Sequence, residues 1–268
     1  LVKRFTSIEM QNKQYQDIVS KYAQEPEEKI RDARKNAKRL RMVSVLYISV
    51  HGFEELYRLE DPSPMVDLLD ELYLALEEIA FIYNVVKIKS VGDVMIFAAG
   101  LQGENRTNPI DIVRVALEMQ QAAANLKAPD GMSFWKLKMG IHTGPVVAIP
   151  GGNSAQGYSF SGDSINIACR LGEACPATSI STSVMTYELI KEFYESSLIG
   201  KMPVKYKGNL GMYNISGYRP ELQSSESCLI PNHKFKVQYL TLKFLDIQEE
   251  LLDYLESKLP ENLYYHNI

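Results

Sequence analysis

Residues 140–171 read GIHTGPVVAIPGGNSAQGYSFSGDSINIACRL, and the fold is decided here. Apolar residues run into a Gly-rich turn. A second turn, Ser161-Gly162-Asp163, then opens an apolar segment carrying Asn166 and Arg170. A helix starting at Asp163 puts those two side chains, four residues apart, on one face. An amide and a guanidinium beside a helix start can hold a sugar oxygen and a phosphate together. Taken alone, the same pattern better suits a locally bonded asparagine and a solvated surface arginine.

Two upstream segments tip that balance. VLYISVHGF occupies 45–53 and KIKSVGDVMI occupies 87–96. In this order and at these distances, the three blocks resemble the catalytic domain of class III nucleotidyl cyclases. Those adenylyl and guanylyl cyclases close a nucleoside triphosphate into a 3′,5′-cyclic monophosphate. The resemblance covers 41–218, and GDSINIACR at 162–170 is close to the family's pattern.

Composition sets outer bounds. A chain of 268 residues holds one good-sized domain with extensions, or two small ones. With 46% hydrophobic and 23% charged residues it suits a globular protein. A net charge of −4 gives no reason to expect nucleic-acid binding. Cys169, Cys175 and Cys228 form no disulfide framework and no Cys-x-x-Cys pair, so a reducing, cytoplasmic setting is expected. No apolar run has the length of about 18 residues that a membrane span requires. The chain starts at Leu1 and reads as a piece of something longer.

Residues 1–40 read as a helical lead-in, polar and without glycine from residue 8. Lys29, Arg31, Arg34, Lys35, Lys38, Arg39 and Arg41 cluster towards its end and read as a solvated helix face. The resemblance implies that such a segment transmits signals and pairs with its copy. Beyond it, 42–50 is a buried strand and 62–83 a helix with Val66, Leu69, Leu72, Tyr73, Leu76 and Ile79 at helical spacing. The spacing then predicts strands at 84–89 and 94–99 turning at Gly92-Asp93, an amphipathic helix at 108–126, and strands at 135–142 and 145–149. A short helix at 163–172, another at 182–193, and strands near 204 and at 212–217 follow. The β-α-β-β-α-β order implies an α+β fold with a ferredoxin-like core, as does the cyclase resemblance. Residues 41–218 are thus a cyclase-homology domain. Residues 219–268 read as a linker (219–231) and a C-terminal helix (234–259), faintly like the start of an HD-type phosphohydrolase domain to which no HD chemistry can be assigned.

The resemblance implies a site. Family members clamp two divalent ions, Mg²⁺ or Mn²⁺, between two aspartates, because hard cations prefer charged oxygens. Asp93 matches the second aspartate; the position of the first holds Ser49. A hydroxyl can ligate an ion but lacks the charge that holds two. Gly52 and Phe53 could present backbone amides to a phosphate, while Glu54 and Glu55 beside them repel a triphosphate. Lys89 matches an adenine-contacting lysine, where guanine-specific members usually carry glutamate, and so favours ATP over GTP. Ser159 takes the companion base contact, with a hydroxyl able to accept from the adenine amino group. Asn166 and Arg170 match the residues that orient the ribose and stabilise transition-state charge. His51 and His142 receive no catalytic role.

Family sites are completed across a head-to-tail dimer, so a homodimer binding an ATP-like nucleotide is expected. Three readings stand open: an adenylyl cyclase, slow and favouring Mn²⁺; a degenerate module that dimerises, binds nucleotide or regulates an attached domain; and the nucleotide-reading half of a heterodimer.

Overall fold

The computed structural model describes residues 36–243, apart from 57, 103–105, 129–130, 132, 152–156, 205–207 and 226. The expected helical lead-in up to residue 35 and the C-terminal segment from 244 lie outside the described residues.

The elements are β1 (Lys38–His51), a one-turn α1 (Phe53–Leu56), α2 (Ser63–Ile82), β2 (Val86–Val91), β3 (Val94–Ala99), α3 (Asn108–Asn125) and β4 (Lys136–Pro150). Then come β5 (Tyr158–Ser161), α4 (Asp163–Ala174), β6 (Ser179–Ser183), α5 (Val184–Ile190), β7 (Tyr194–Val204), β8 (Gly208–Tyr218) and α6 (His233–Lys243). They build an 8-stranded sheet in the order β2-β3-β1-β4-β6-β8-β7, with β5 paired to β4. Strands β2, β3, β1 and β4 are mutually antiparallel neighbours. That is the ferredoxin-like order the element pattern implied.

Strand β1 is the centre of the sheet, and Val43 to Val50 are buried on both of its faces. Its even-numbered residues Leu46, Ile48 and Val50 join Phe97, the α2 stripe Met65, Leu69, Leu72, Leu76 and Ala80, and most of α3. Its odd-numbered residues Val43, Val45 and Tyr47 meet Ile96, Val146 and Ala168 of α4. The strand's two-residue period therefore assigns α2 and α3 to one face and α4 to the other.

Several expected boundaries move. β1 starts at Lys38, so Lys38, Arg39 and Arg41 belong to a strand and not to a helix face. Val66 of α2 is exposed, and Met65 takes the inward place expected of it. The two strands expected at 135–142 and 145–149 are one strand, β4. Pro145 suggested a break, but it lies opposite an irregularity in β1, between Leu40 and Val43, where a missing N–H is tolerated. Thr182 and Ser183 end β6, which pairs parallel to β4, so α5 starts two residues later than expected.

Helix α3 is buried almost all round, and Arg114 among its residues is covered too. The stretch expected as a linker, together with the start of the C-terminal helix expected after it, is the reason. Residues 219–243 fold back, with Leu222 and Phe235 in the main core. Tyr239 of α6 donates from its hydroxyl to Asp111 Oδ1 at 2.8 Å. Arg114 lies over the Tyr83 ring at 4.6 Å and donates from Nε to Glu118.

Candidate functional site

Helix α4 approaches the sheet more closely than side chains normally permit. A Cβ on Gly140 would lie 2.2 Å from Ala168 O, and one on Gly172 2.3 Å from Tyr47 Cδ1. Two glycines, one on the strand and one on the helix, let the backbones meet. Ser164 Oγ donates to Pro145 O at 2.8 Å and fastens the helix start to β4. Ile167, Ala168 and Leu171 are buried, which leaves Asn166 and Arg170 exposed one turn apart on the outer face, as expected.

Lys89 reaches the same side of the sheet through a bulge. Lys87 pairs with Phe97, but Lys89 pairs with Ile96, so one extra residue interrupts the ladder. Phe97 faces α2 and Ile96 faces α4. Lys87 therefore bonds Glu77 of α2, while Lys89 emerges on the α4 face. Its charge is felt there by Cys169, whose thiol burial nevertheless pushes up. In a regular strand the two lysines would share a face. Strand β5, which the sequence did not announce, packs Phe160, like Ile88, Ile165 and Cys169, against the α4-side core and leaves Ser159 exposed. Among the described residues, the side chains of Lys89, Ser159, Asn166 and Arg170 have no hydrogen-bond or ion-pair partner.

The other candidate residues sit at the far end of β1. Gly92, at φ 58°, makes the left-handed turn of the β2–β3 hairpin. Val50 N donates to Asp93 O at 2.9 Å, and Tyr73 of α2 donates from its hydroxyl to Gly92 O. Held from both sides, Asp93 faces Ser49, whose hydroxyl donates to Asp93 Oδ2 at 3.1 Å. The same hydroxyl lies 3.2 Å from His51 Nε2. Ser49 is buried, while His51 and Asp93 are half-buried.

His51 and Asp93, but not Ser49, line a cavity of about 770 Å³, whose walls also include Gly52, Phe53, Glu54 and Glu55. Gly52 is fixed by conformation and by space. Its φ is +136°, and a Cβ there would lie 2.8 Å from the Trp135 ring. Phe53 packs on that indole at 4.9 Å between ring centroids, and the indole N–H donates to Met65 O. Trp135 thus packs against both the Gly52 backbone and the Phe53 ring.

A divalent ion with oxygen ligands at about 2.1 Å needs neighbouring donors roughly 3 Å apart. Ser49 Oγ and Asp93 Oδ2 meet that spacing for one ion. Among the described residues no three His, Cys, Asp or Glu side chains converge, so nothing here supplies the charge for two. The basic groups of α4 and β2 and the carboxylate end make no mutual hydrogen bond or ion pair within one chain.

His142 is structural. Its Nδ1 lies 2.7 Å from Ser183 Oγ, within a buried chain of hydroxyls that links Ser183, Thr186, Thr143 and Ser44 beneath β4. The run of small polar residues in 179–183 was the only sequence signal for that network.

The family model of the adenylate and guanylate cyclase catalytic domain matches residues 35–217. The chain is 31% identical over 174 residues to an adenylate cyclase of Mycobacterium tuberculosis, covering 65% of this chain and 39% of that protein. It is 29% identical over 181 residues to atrial natriuretic peptide receptor 2 of Homo sapiens, covering 66% of this chain and 17% of that protein. The chain thus spans well under half the length of these curated relatives. The catalytic core of a rhodopsin-guanylyl cyclase with converted specificity, solved in complex with ATPαS, superposes with a TM-score of 0.60 at 26% identity, covering 69% of this chain and 100% of that one. The adenylyl cyclase CyaB from P. aeruginosa shares the fold, with a TM-score of 0.58 at 24% identity over 70% of this chain and 99% of that one.

Proposed function

The chain belongs to the adenylate and guanylate cyclase catalytic-domain family, and from that premise we propose that it is an adenylyl cyclase domain, converting ATP to cyclic AMP and pyrophosphate at the interface of a homodimer. One observation carries the reading. Ser49, where the family has its first metal aspartate, still points its hydroxyl at Asp93 Oδ2 at 3.1 Å, so the place where an ion would bind is weakened in charge but retained in shape.

The roles follow from the geometry. Asp93 and Ser49 would hold a divalent ion, Mn²⁺ better than Mg²⁺, through one carboxylate and one hydroxyl. Bound there, the ion would lower the pKa of the ribose 3′-hydroxyl and neutralise charge on the leaving pyrophosphate. The amides of Gly52 and Phe53, packed against Trp135, would receive phosphate oxygens. On the partner's α4 face, the Lys89 ammonium donates to an adenine ring acceptor and Ser159 Oγ accepts from the amino group. Asn166 orients the ribose. Arg170 stabilises the charge that builds on the α-phosphate as the 3′-oxygen attacks. The exposure of these four groups and their lack of partners among the described residues suit a surface that a second subunit and a nucleotide complete. A lone subunit is then inert.

Glu54 and Glu55 on the cavity wall favour a second reading, a degenerate module that dimerises, binds nucleotide at the basic end or regulates an attached domain, without turnover. Wild-type protein, confirmed as a dimer and incubated with ATP and Mn²⁺, separates the two. Cyclic AMP formation that Asp93→Ala abolishes supports the cyclase. Dimers that bind ATP but stay silent support the second reading.

A further inference from the structure

Strand β1 does not end its contribution at Ser49. His51 lies two residues on, so it shares Ser49's face of the sheet, and its Nε2 sits 3.2 Å from Ser49 Oγ. With the Ser49 hydroxyl donating to Asp93 Oδ2 at 3.1 Å, the three side chains form a row of nitrogen, oxygen and oxygen donors. Their spacing is that of neighbouring ligands on one ion with bonds of about 2.1 Å. We propose that Ser49, His51 and Asp93 together form a single-ion site of mixed nitrogen and oxygen donors, selective for a transition metal such as Mn²⁺ or Zn²⁺ over Mg²⁺.

This deepens the cyclase reading, since it rests on Asp93 as a metal ligand, and it gives the ligand missing at position 49 a replacement donor, though not its charge. An imidazole is a good ligand for Zn²⁺ and its neighbours and a poor one for Mg²⁺, which demands oxygen. Exchanging a carboxylate for a hydroxyl while adding an imidazole therefore changes which ion binds, not only how tightly. The backbone fixes the row. Ser49 and His51 are paired to Lys138 and Lys136 of β4, and Asp93 is tied by its carbonyl to Val50 N. To ligate, His51 moves its proton from Nε2 to Nδ1, and Ser49 Oγ turns a lone pair towards the ion. The wall supplies the rest. Glu54 and Glu55 lend negative potential that attracts a cation, and the cavity has room for water ligands or a phosphate oxygen beside the ion.

The test is binding of Mn²⁺ and Mg²⁺ to the full chain by titration calorimetry, without nucleotide, for wild type, His51→Ala, His51→Asn and Asp93→Asn. Wild type is expected to bind Mn²⁺ more tightly than Mg²⁺. Loss of His51 is expected to weaken Mn²⁺ about 10–100-fold and to leave Mg²⁺ nearly unchanged, whereas Asp93→Asn weakens both. A second readout needs no variant: Zn²⁺ should shift the ring-nitrogen resonance of His51 in wild-type protein and leave that of His142 in place. Mn²⁺ affinity within twofold of wild type in folded His51 variants would overturn the site, as would a His51 resonance indifferent to Zn²⁺. The two proposals fail separately. Mn²⁺ held through His51 without cyclic AMP production keeps the site and removes the cyclase; production unaffected by loss of His51 does the reverse.

Discussion

The two ends of the candidate site are built on opposite plans. At the carboxylate end, Ser49 bonds both His51 and Asp93, and the Gly92-Asp93 turn is held by β1 at Asp93 and by α2 at Gly92. At the basic end, Lys89, Asn166 and Arg170 are exposed on β2 and α4. What is rigid there is the backbone beneath them, clamped by Gly140 against Gly172. The first end is pre-organised through its side chains and the second through its scaffold. Loss of a side-chain hydrogen bond should therefore disturb the geometry of the first end most, and a change in backbone packing that of the second.

The largest expected effect attacks the scaffold. In Gly140→Ala the new methyl would lie 2.2 Å from both Ala168 O and Gly172 N. Overpacking of this kind costs about 3 kcal/mol or more, read as a fall in the denaturation midpoint, and nucleotide binding should vanish while Mn²⁺ binding at Asp93 persists in the folded fraction. Next comes Arg170→Ala, with an expected loss of about 100–1,000-fold in kcat and little change in KM; an equal change in KM would make Arg170 a ground-state contact. Lys89→Glu follows, with the preference for ATP over GTP expected to fall by roughly 10–100-fold, less than a fully buried polar mismatch because Lys89 is exposed. Unchanged relative rates for the two nucleotides would remove Lys89 from base reading.

The smallest effects lie outside both ends. Tyr239→Phe removes the donor from Asp111 Oδ1 and should cost about 1–3 kcal/mol in urea denaturation, with kinetics intact. Burial pushes the Asp111 carboxyl above its ordinary range, against the Tyr239 hydrogen bond. A carboxyl raised in the folded state contributes fully below its unfolded pKa, and that contribution is lost as pH rises through the folded value. Asp111→Asn should accordingly lose less stability than wild type as the pH is raised from that of the ordinary carboxyl towards neutrality. Parallel stability–pH curves for the two proteins would contradict this.

Much of this was legible in the sequence because it rests on periodicity and on glycine. The apolar run of β1, the stripe of α2 and the Gly92-Asp93 turn each announced an element, and GDSINIACR placed Asn166 and Arg170 on one helix face. The rest depended on neighbours. Strands β5 and β6 are rich in serine, and their strand character comes from pairing with β4 rather than from propensity. The bulge at Lys87–Lys89 turns one lysine to each face, and no local signal marks it. Ser and Pro made 219–231 read as a linker, whereas Leu222 sits in the main core, and Phe235 and Tyr239 of the helix that follows anchor the segment over α3. His51 was set aside as a lone histidine: its shared face with Ser49 follows from the strand period, but Asp93 joins them only once the β2–β3 hairpin docks beside β1.

The central claim is that the carboxylate end keeps its shape and lacks one charge. Cyclic AMP formation from ATP and Mn²⁺, measured side by side for dimeric wild type and Ser49→Asp, tests it most directly. A measurable wild-type rate that rises at least tenfold in Ser49→Asp is the expected result. Silence in both, with dimers and ATP binding confirmed, would contradict it.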